Sequence, residues 1–352
     1  MEMDDTSKEL LTISTQRGLY RFNRLAFGIA SAPAIWQRAM EQVLQGIPKT
    51  ACLIDDIIVA GANEKEHLEL LERVLSRLNS YNLTLNKKKC AFFQEEITYC
   101  GYRVDGEGLH KTPEKIQAVV DAPSPANISQ LRAFLGMINY YHRFLPDLST
   151  RLEPLHHLLQ KEAKWVWSED CEKAFKEIKQ LIVSDVVLVH FNPELPLTLS
   201  CDASPYGLGA VLSHIMPNGV ERPVAYASRT LTTAERNYAQ IDKEALAVAW
   251  GVKRFHQYLY GLHFTLVTDH QPLTALFCPE RSISATTASR LQRQAVFLSG
   301  YSYTIKYRRT THHANMDALS RLTVSHEDSG VETEVDVFAL QQIDLLPITA
   351  TH

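Results

Sequence analysis

Long apolar runs are missing from this 352-residue chain: nothing approaches the roughly 18 consecutive apolar residues of a membrane-spanning helix. The opening Met1-Glu-Met-Asp-Asp-Thr-Ser-Lys also lacks the basic-then-apolar pattern of a secretory signal. The expected setting is therefore intracellular, cytoplasmic or nuclear, with no membrane association. Cysteine is sparse and ungrouped. The six, at 52, 90, 100, 171, 201 and 278, form no Cys-x-x-Cys pair, which argues against zinc and against a disulfide framework and leaves buried free thiols. Positive charge is in short supply as well. The net charge of −4 argues weakly against a nucleic-acid partner, although the tail after Leu322, with six acids and no Lys or Arg, carries much of the deficit.

What is present suits a folded protein of two or three domains: 45% hydrophobic and 22% charged residues. One stretch stands out, Leu199-Ser-Cys-Asp-Ala-Ser-Pro-Tyr-Gly-Leu-Gly-Ala-Val-Leu-Ser213. Pro196 to Cys201 alternates apolar and polar residues as a half-buried strand, Ser204, Pro205 and Gly207 break it, and Leu208 to Ile215 reads as the return strand. Asp202 is thus a carboxylate on a rigid strand end. Three further acids have contexts that allow convergence on it: Glu244 inside a helical run, Asp269 ending the strand Phe264-Thr-Leu-Val-Thr-Asp, and Asp317 opening the short helix Met316 to Leu322. Four converging carboxylates repel one another unless a hard cation neutralises them, and oxygen-only ligands favour Mg²⁺ or Mn²⁺. Two such ions, about 4 Å apart, are the machinery of phosphodiester cleavage. Taken singly, an Asp at a strand end reads as a turn or cap residue, and a helical Glu as solvated.

Five motifs in order carry a resemblance: Cys201-Asp-Ala-Ser, Val224-Ala-Tyr-Ala-Ser-Arg-Thr-Leu, Asn237-Tyr-Ala-Gln-Ile-Asp-Lys-Glu-Ala-Leu-Ala-Val, Thr268-Asp-His-Gln-Pro-Leu and Asn315-Met-Asp-Ala-Leu-Ser-Arg. Together they resemble the ribonuclease H domain of gypsy-class LTR retrotransposon Pol polyproteins. The resemblance implies that Asp202, Glu244, Asp269 and Asp317 hold two Mg²⁺ (or Mn²⁺) ions and cut the RNA strand of an RNA–DNA hybrid. It also implies a product-release role for one of His312 and His313. Arg229, Arg290, Arg293, Lys306, Arg308 and Arg309 become candidates for contact with the nucleic-acid backbone.

The rest of the chain extends the resemblance. Ala51-Cys-Leu-Ile-Asp-Asp-Ile-Ile-Val-Ala60 reads as a tight hairpin with Asp55 and Asp56 at its tip, after a helix started by Ser31 and Pro33. With Leu83-Thr-Leu-Asn-Lys-Lys-Lys-Cys and Ile97-Thr-Tyr-Cys-Gly-Tyr-Arg-Val it resembles a reverse transcriptase palm. Leu53 stands where that family has Tyr, Gln294 where it has Trp, and Met316 where it has a small residue. In the family the first polymerase aspartate lies upstream of the segment matching Met3 to Lys8, so Asp55 and Asp56 are expected to be a polymerase remnant that does not support DNA synthesis alone.

The expected architecture is multidomain, α/β and α+β. Residues 1–103 form a truncated palm without fingers, and residues 104–186 a mainly helical thumb and connection, with Thr112 and Ser168 as helix caps. Residues 187–322 form a ribonuclease H-like mixed sheet with helices, in which Thr233 to Gln257 is one helix. Residues 323–352 form a disordered acidic tail that stops short of an integrase zinc pattern. Aromatic packing is the expected role of Tyr140 and Tyr141. Two other functional readings stay open: an inactive element remnant, and a host-adopted nucleic-acid-binding or interaction module.

Overall fold

A computed structural model describes residues 1–308 apart from 147, 161–162, 185, 206 and 281–288. The tail, Asp317, His312, His313 and Arg309 lie outside the described residues. The chain forms two compact units divided after Gln94. No helix among the described residues is long and apolar enough to cross a membrane.

In the first unit, helix α1 (Ala32–Leu44), the antiparallel hairpin β1 (Thr50–Leu53) and β2 (Asp56–Val59), and helix α2 (Glu64–Ser80) share one core. Met40, Val43 and Leu44 of α1, with Ile47, meet Cys52 and the Leu70, Val74, Leu78 stripe of α2, whose spacing is that of one helix face. Asn63 caps α2 by accepting from Glu66 N. Ser31 does not cap α1: it is already in helical conformation and its side chain makes no cap hydrogen bond, so Pro33 alone marks that start.

Among the described residues the second unit contains two sheets. The smaller is a meander of β3 (Ile97–Tyr99), β4 (Tyr102–Val104) and β5 (Leu109–Lys111), followed by helices α3 (Pro113–Asp121), α4 (Ile128–Tyr140) and α5 (Glu169–Val183). The strands from Ile97 to Val104 fall in this unit, where Tyr102 is fully buried. Its ring stacks on Tyr140 at 5.0 Å and Phe144 at 5.7 Å, meets Tyr141 edge-on, and its hydroxyl donates to Tyr140 O at 2.7 Å. Tyr141 is likewise buried, as a packing role requires. Thr112 does not cap α3. Its hydroxyl donates instead to Gly101 O and pairs with the Tyr141 hydroxyl, drawn inward by the same cluster. Ser168 does cap α5, accepting from Cys171 N.

The larger sheet runs β8-β7-β6-β9-β10, with β6 (Leu197–Ala203), β7 (Gly207–Ile215), β8 (Glu221–Thr230), β9 (His263–Thr268) and β10 (Ser302–Tyr307). The first three pair antiparallel, and β9 joins β6 and β10 in parallel. The segment before β6 bridges the two sheets: Leu188 exchanges backbone hydrogen bonds with Leu109 of β5, and Val189 N donates to Pro223 O of β8. Across the large sheet lies α6 (Gln240–Arg254), with Ala245, Ala247, Val248, Gly251 and Val252 buried. The single helix expected over Thr233 to Gln257 is three pieces, Thr233–Arg236, α6 and His256–Leu259. Thr232 and Glu235 close the first piece as a capping box, and Ala239 is extended, so α6 begins at Gln240.

Close helix–sheet approach depends on Gly251. A Cβ there would lie 2.6 Å from Cys201 Sγ and 3.3 Å from Ala210 Cβ. Gly251→Ala is therefore expected to destabilise by about 1–2 kcal/mol, overpacking outweighing the helix-propensity gain of Ala. Chemical denaturation checks this; a stabilised variant, or no relief of the loss when Cys201→Ala is added, would refute it. On α7 (Ser289–Leu298), Gln294 has a buried Oε1 without a hydrogen-bond partner among the described residues. Gln294→Leu is expected to raise stability by about 1 kcal/mol, read as a higher denaturation midpoint at unchanged slope.

Candidate metal centre and active site

Strand pairing brings the first two acids together. β6 and β9 are parallel neighbours in the register Phe264 to Leu197 through Val267 to Ser200. Extending it by two residues sets Asp269 beside Asp202, at the carboxyl ends of adjacent parallel strands, where open α/β sheets place ligands. Glu244, one turn into α6, supplies the third acid. One carboxylate oxygen from each of Asp202, Glu244 and Asp269 lies within 4.8 Å of the other two, the only such group of possible metal ligands among the described residues.

The electrostatics are those of a site built for a cation. Asp202 and Glu244 are 7% and 4% exposed, so solvent does little to screen them. Burial first, and then the charges of Asp202 and Asp269, push the Glu244 carboxyl up to about 9. Glu244 Oε2 is buried with no hydrogen-bond partner among the described residues. A buried carboxylate oxygen without a donor is costly unless a proton or metal completes it. The donors are all hard oxygens, matching Mg²⁺ or Mn²⁺ rather than a thiolate metal. The cysteines are free; burial and the nearby Glu244 and Asp202 raise the Cys201 thiol far above its usual range, keeping it inert.

In the first unit, Asp55 and Asp56 stand exposed at the hairpin turn. The turn is held from α1. Gln37, 1% exposed, accepts from Ile54 N at 2.6 Å and donates to Cys52 O at 2.8 Å, while Trp36 Nε1 donates to Ile54 O and Asp55 Oδ1, both at 3.1 Å. These bonds hold Ile54 at φ +53°, a conformation a β-branched residue rarely adopts. Sequence reading did not find the clamp, although a Gln beside a Trp on an otherwise apolar helix face is its trace.

Known proteins agree with both halves. A family model described as reverse transcriptase (RNA-dependent DNA polymerase) matches residues 1–104, and one described as RNase H-like domain found in reverse transcriptase matches residues 167–266. The chain is 35% identical, over 92% of its length, to the retrovirus-related Pol polyprotein from transposon 412 of Drosophila melanogaster, covering 26% of that protein. It is 33% identical, over 92% of its length, to the transposon Tf2-3 polyprotein of Schizosaccharomyces pombe, covering 24% of it. The chain carries reverse transcriptase and RNase H-like family domains, and LTR-retrotransposon Pol polyproteins are its homologues along nearly all of its length. It spans about a quarter of the length of these curated relatives. The fold of this chain is shared with the foamy viral protease-reverse transcriptase. The structure of the dRH form with double-stranded DNA superposes at a TM-score of 0.74 with 22% identity, covering 88% of this chain and 54% of that one. The structure with an RNA/DNA hybrid gives 0.73 and 22%, covering 93% and 44%.

Of the basic residues offered as backbone contacts, Arg229 is held by an acid. Its guanidinium forms a bidentate pair with Glu235 at 2.8 and 2.9 Å, because the capping box turns Glu235 back toward β8. Arg308 pairs with Glu221 at 2.9 Å, and Arg290 lies over the Tyr238 ring 3.7 Å from Asp242. Arg293 and Lys306 are exposed. The residue that sequence reading missed in this site is Gln240, which donates to Glu244 Oε1 at 2.6 Å and to Ala203 O at 2.9 Å.

Proposed function

We propose that this Pol chain hydrolyses the RNA strand of RNA–DNA hybrids endonucleolytically, with two Mg²⁺ or Mn²⁺ ions held by Asp202, Glu244, Asp269 and Asp317. The observation that carries the reading is the convergence of three carboxylates, Asp202, Glu244 and Asp269, two of them buried. When bound, the ions supply Lewis-acid stabilisation of the phosphodiester and a water of lowered pKa. The chain's own residues do the holding. Ala203 N donates to Asp202 Oδ1 at 2.9 Å, fixing that carboxylate against the strand end. Arg293 and Lys306, exposed and with no acid in ion-pair range among the described residues, are offered to the hybrid's phosphates, which positions a substrate without reading its sequence.

The test is incubation of the purified chain with a hybrid labelled differently on its two strands, alongside duplex DNA. Cutting confined to the RNA strand, present with Mg²⁺ or Mn²⁺ and abolished by chelator, is expected. Cutting that persists in chelator, or a folded and soluble sample that binds hybrid without cutting, would favour a remnant that only binds nucleic acid.

A further inference from the structure

Gln240 links the two deepest carboxylates through a single peptide group. Ala203 N donates to Asp202 Oδ1, while Ala203 O accepts from Gln240 Nε2 at 2.9 Å. The same Nε2 donates to Glu244 Oε1 at 2.6 Å. A primary amide nitrogen carries two hydrogens, so both bonds form together. As first residue of α6, Gln240 lies four positions before Glu244 and therefore on the same helix face. The result is a continuous relay from Asp202 through the Ala203 peptide and the Gln240 amide to Glu244. It ties the strand end to the helix, and it occupies Oε1 while Oε2 is buried with no hydrogen-bond partner among the described residues.

We infer that Gln240 is a positioning residue for the divalent cation. It sets the affinity of the carboxylate cluster for Mg²⁺ or Mn²⁺ without touching substrate. The inference rests on the proposed metal-dependent nuclease reading. Neutrality is part of the design. An amide orients Glu244 and leaves the cluster's negative charge for the ion, whereas a cationic side chain in its place would compete with the metal. Outer partners of metal-ligating carboxylates typically govern affinity by about 10–100-fold.

Two variants separate this role from a structural one. Gln240 is exposed as a whole residue, so replacements do not open the core. In Gln240→Met, calorimetric titration of the full chain with Mn²⁺ is expected to show affinity lowered by about tenfold or more. The rate of hybrid cleavage at saturating metal should stay within about threefold and the KM for hybrid should not change, since only metal occupancy is affected. In Gln240→Lys, the ammonium should raise the unfolding temperature in chelator and lower the Mn²⁺ affinity further. Unaltered Mn²⁺ affinity in both variants overturns the inference while leaving the nuclease reading intact. Absence of Mn²⁺ binding by the unsubstituted chain overturns both.

Discussion

Asp202→Asn is expected to lower cleavage of an RNA–DNA hybrid by about a thousandfold or more while the chain stays folded. The fold should survive because the amide oxygen of Asn can accept from Ala203 N as the carboxylate oxygen does at 2.9 Å. The chemistry should not survive. Asp202 is 7% exposed and stands among Glu244 and Asp269, so its charge is one of three that together make a cation favourable there. Removing it also relieves repulsion on Glu244, so the variant should be more stable than the parent in chelator and respond less to added Mn²⁺. Single-turnover cleavage and thermal unfolding read the two effects separately. Loss of activity accompanied by loss of folding would refute this account of Asp202, as would activity within about tenfold of the parent, which is far below the loss expected for a missing metal ligand.

Glu244→Gln should change the pH dependence of stability more than any other single substitution in the cluster. Burial and the two neighbouring acids push the folded-state carboxyl from 4.5 up to about 9. The folded metal-free chain therefore holds a proton that the unfolded chain has released over that window. Stability is fully present below about pH 4.5 and is lost as pH rises toward 9, with the slope sign fixed by the greater proton uptake of the folded state. A shift from 4.5 to about 9 corresponds to a loss on the order of 6 kcal/mol across the window, shared with Asp202 and Asp269 because the three are coupled. Gln is neutral at every pH, so the variant's stability in chelator should be nearly flat from pH 5 to 9 in the part that this group controls, and higher than the parent's at the alkaline end. Saturating Mg²⁺ should flatten the parent's loss as well, since the metal takes the proton's place. Denaturation in chelator across that pH range checks both statements. A parent whose stability rises steadily with pH, or a variant that tracks it, would show that Glu244 is not strained in this way.

Much of this was legible from residue order. Asp202 and Asp269 end short alternating segments, and parallel pairing of two such segments leaves their ends side by side. Glu244 was harder. A helical Glu next to Ala245 and Val248 reads as solvated, and only tertiary packing buries it to 4%. Gln240 stayed hidden because the helix was read as continuous from Thr233. The capping box at Thr232 and Glu235, followed by an extended Ala239, makes Gln240 a helix start, and a first-turn residue can reach back to a strand end. The partner of Arg229 was hidden for the same reason: a bidentate acid six residues on is in reach only after that turn closes. Thr112 and the strands from Ile97 to Val104 show the other limit of local reading. Burial of Tyr102 among Tyr140, Tyr141 and Phe144 decides what they touch, and those contacts span about forty residues of chain, a separation that propensities do not see.

The most direct test of the central claim is an anomalous-difference map from crystals of the chain equilibrated with Mn²⁺. A peak bound by oxygens of Asp202, Glu244 and Asp269 at about 2.1–2.2 Å is the expected result, absent from crystals of Asp202→Asn. Manganese occupying other sites in the same crystals while the space between these three carboxylates stays empty would contradict it.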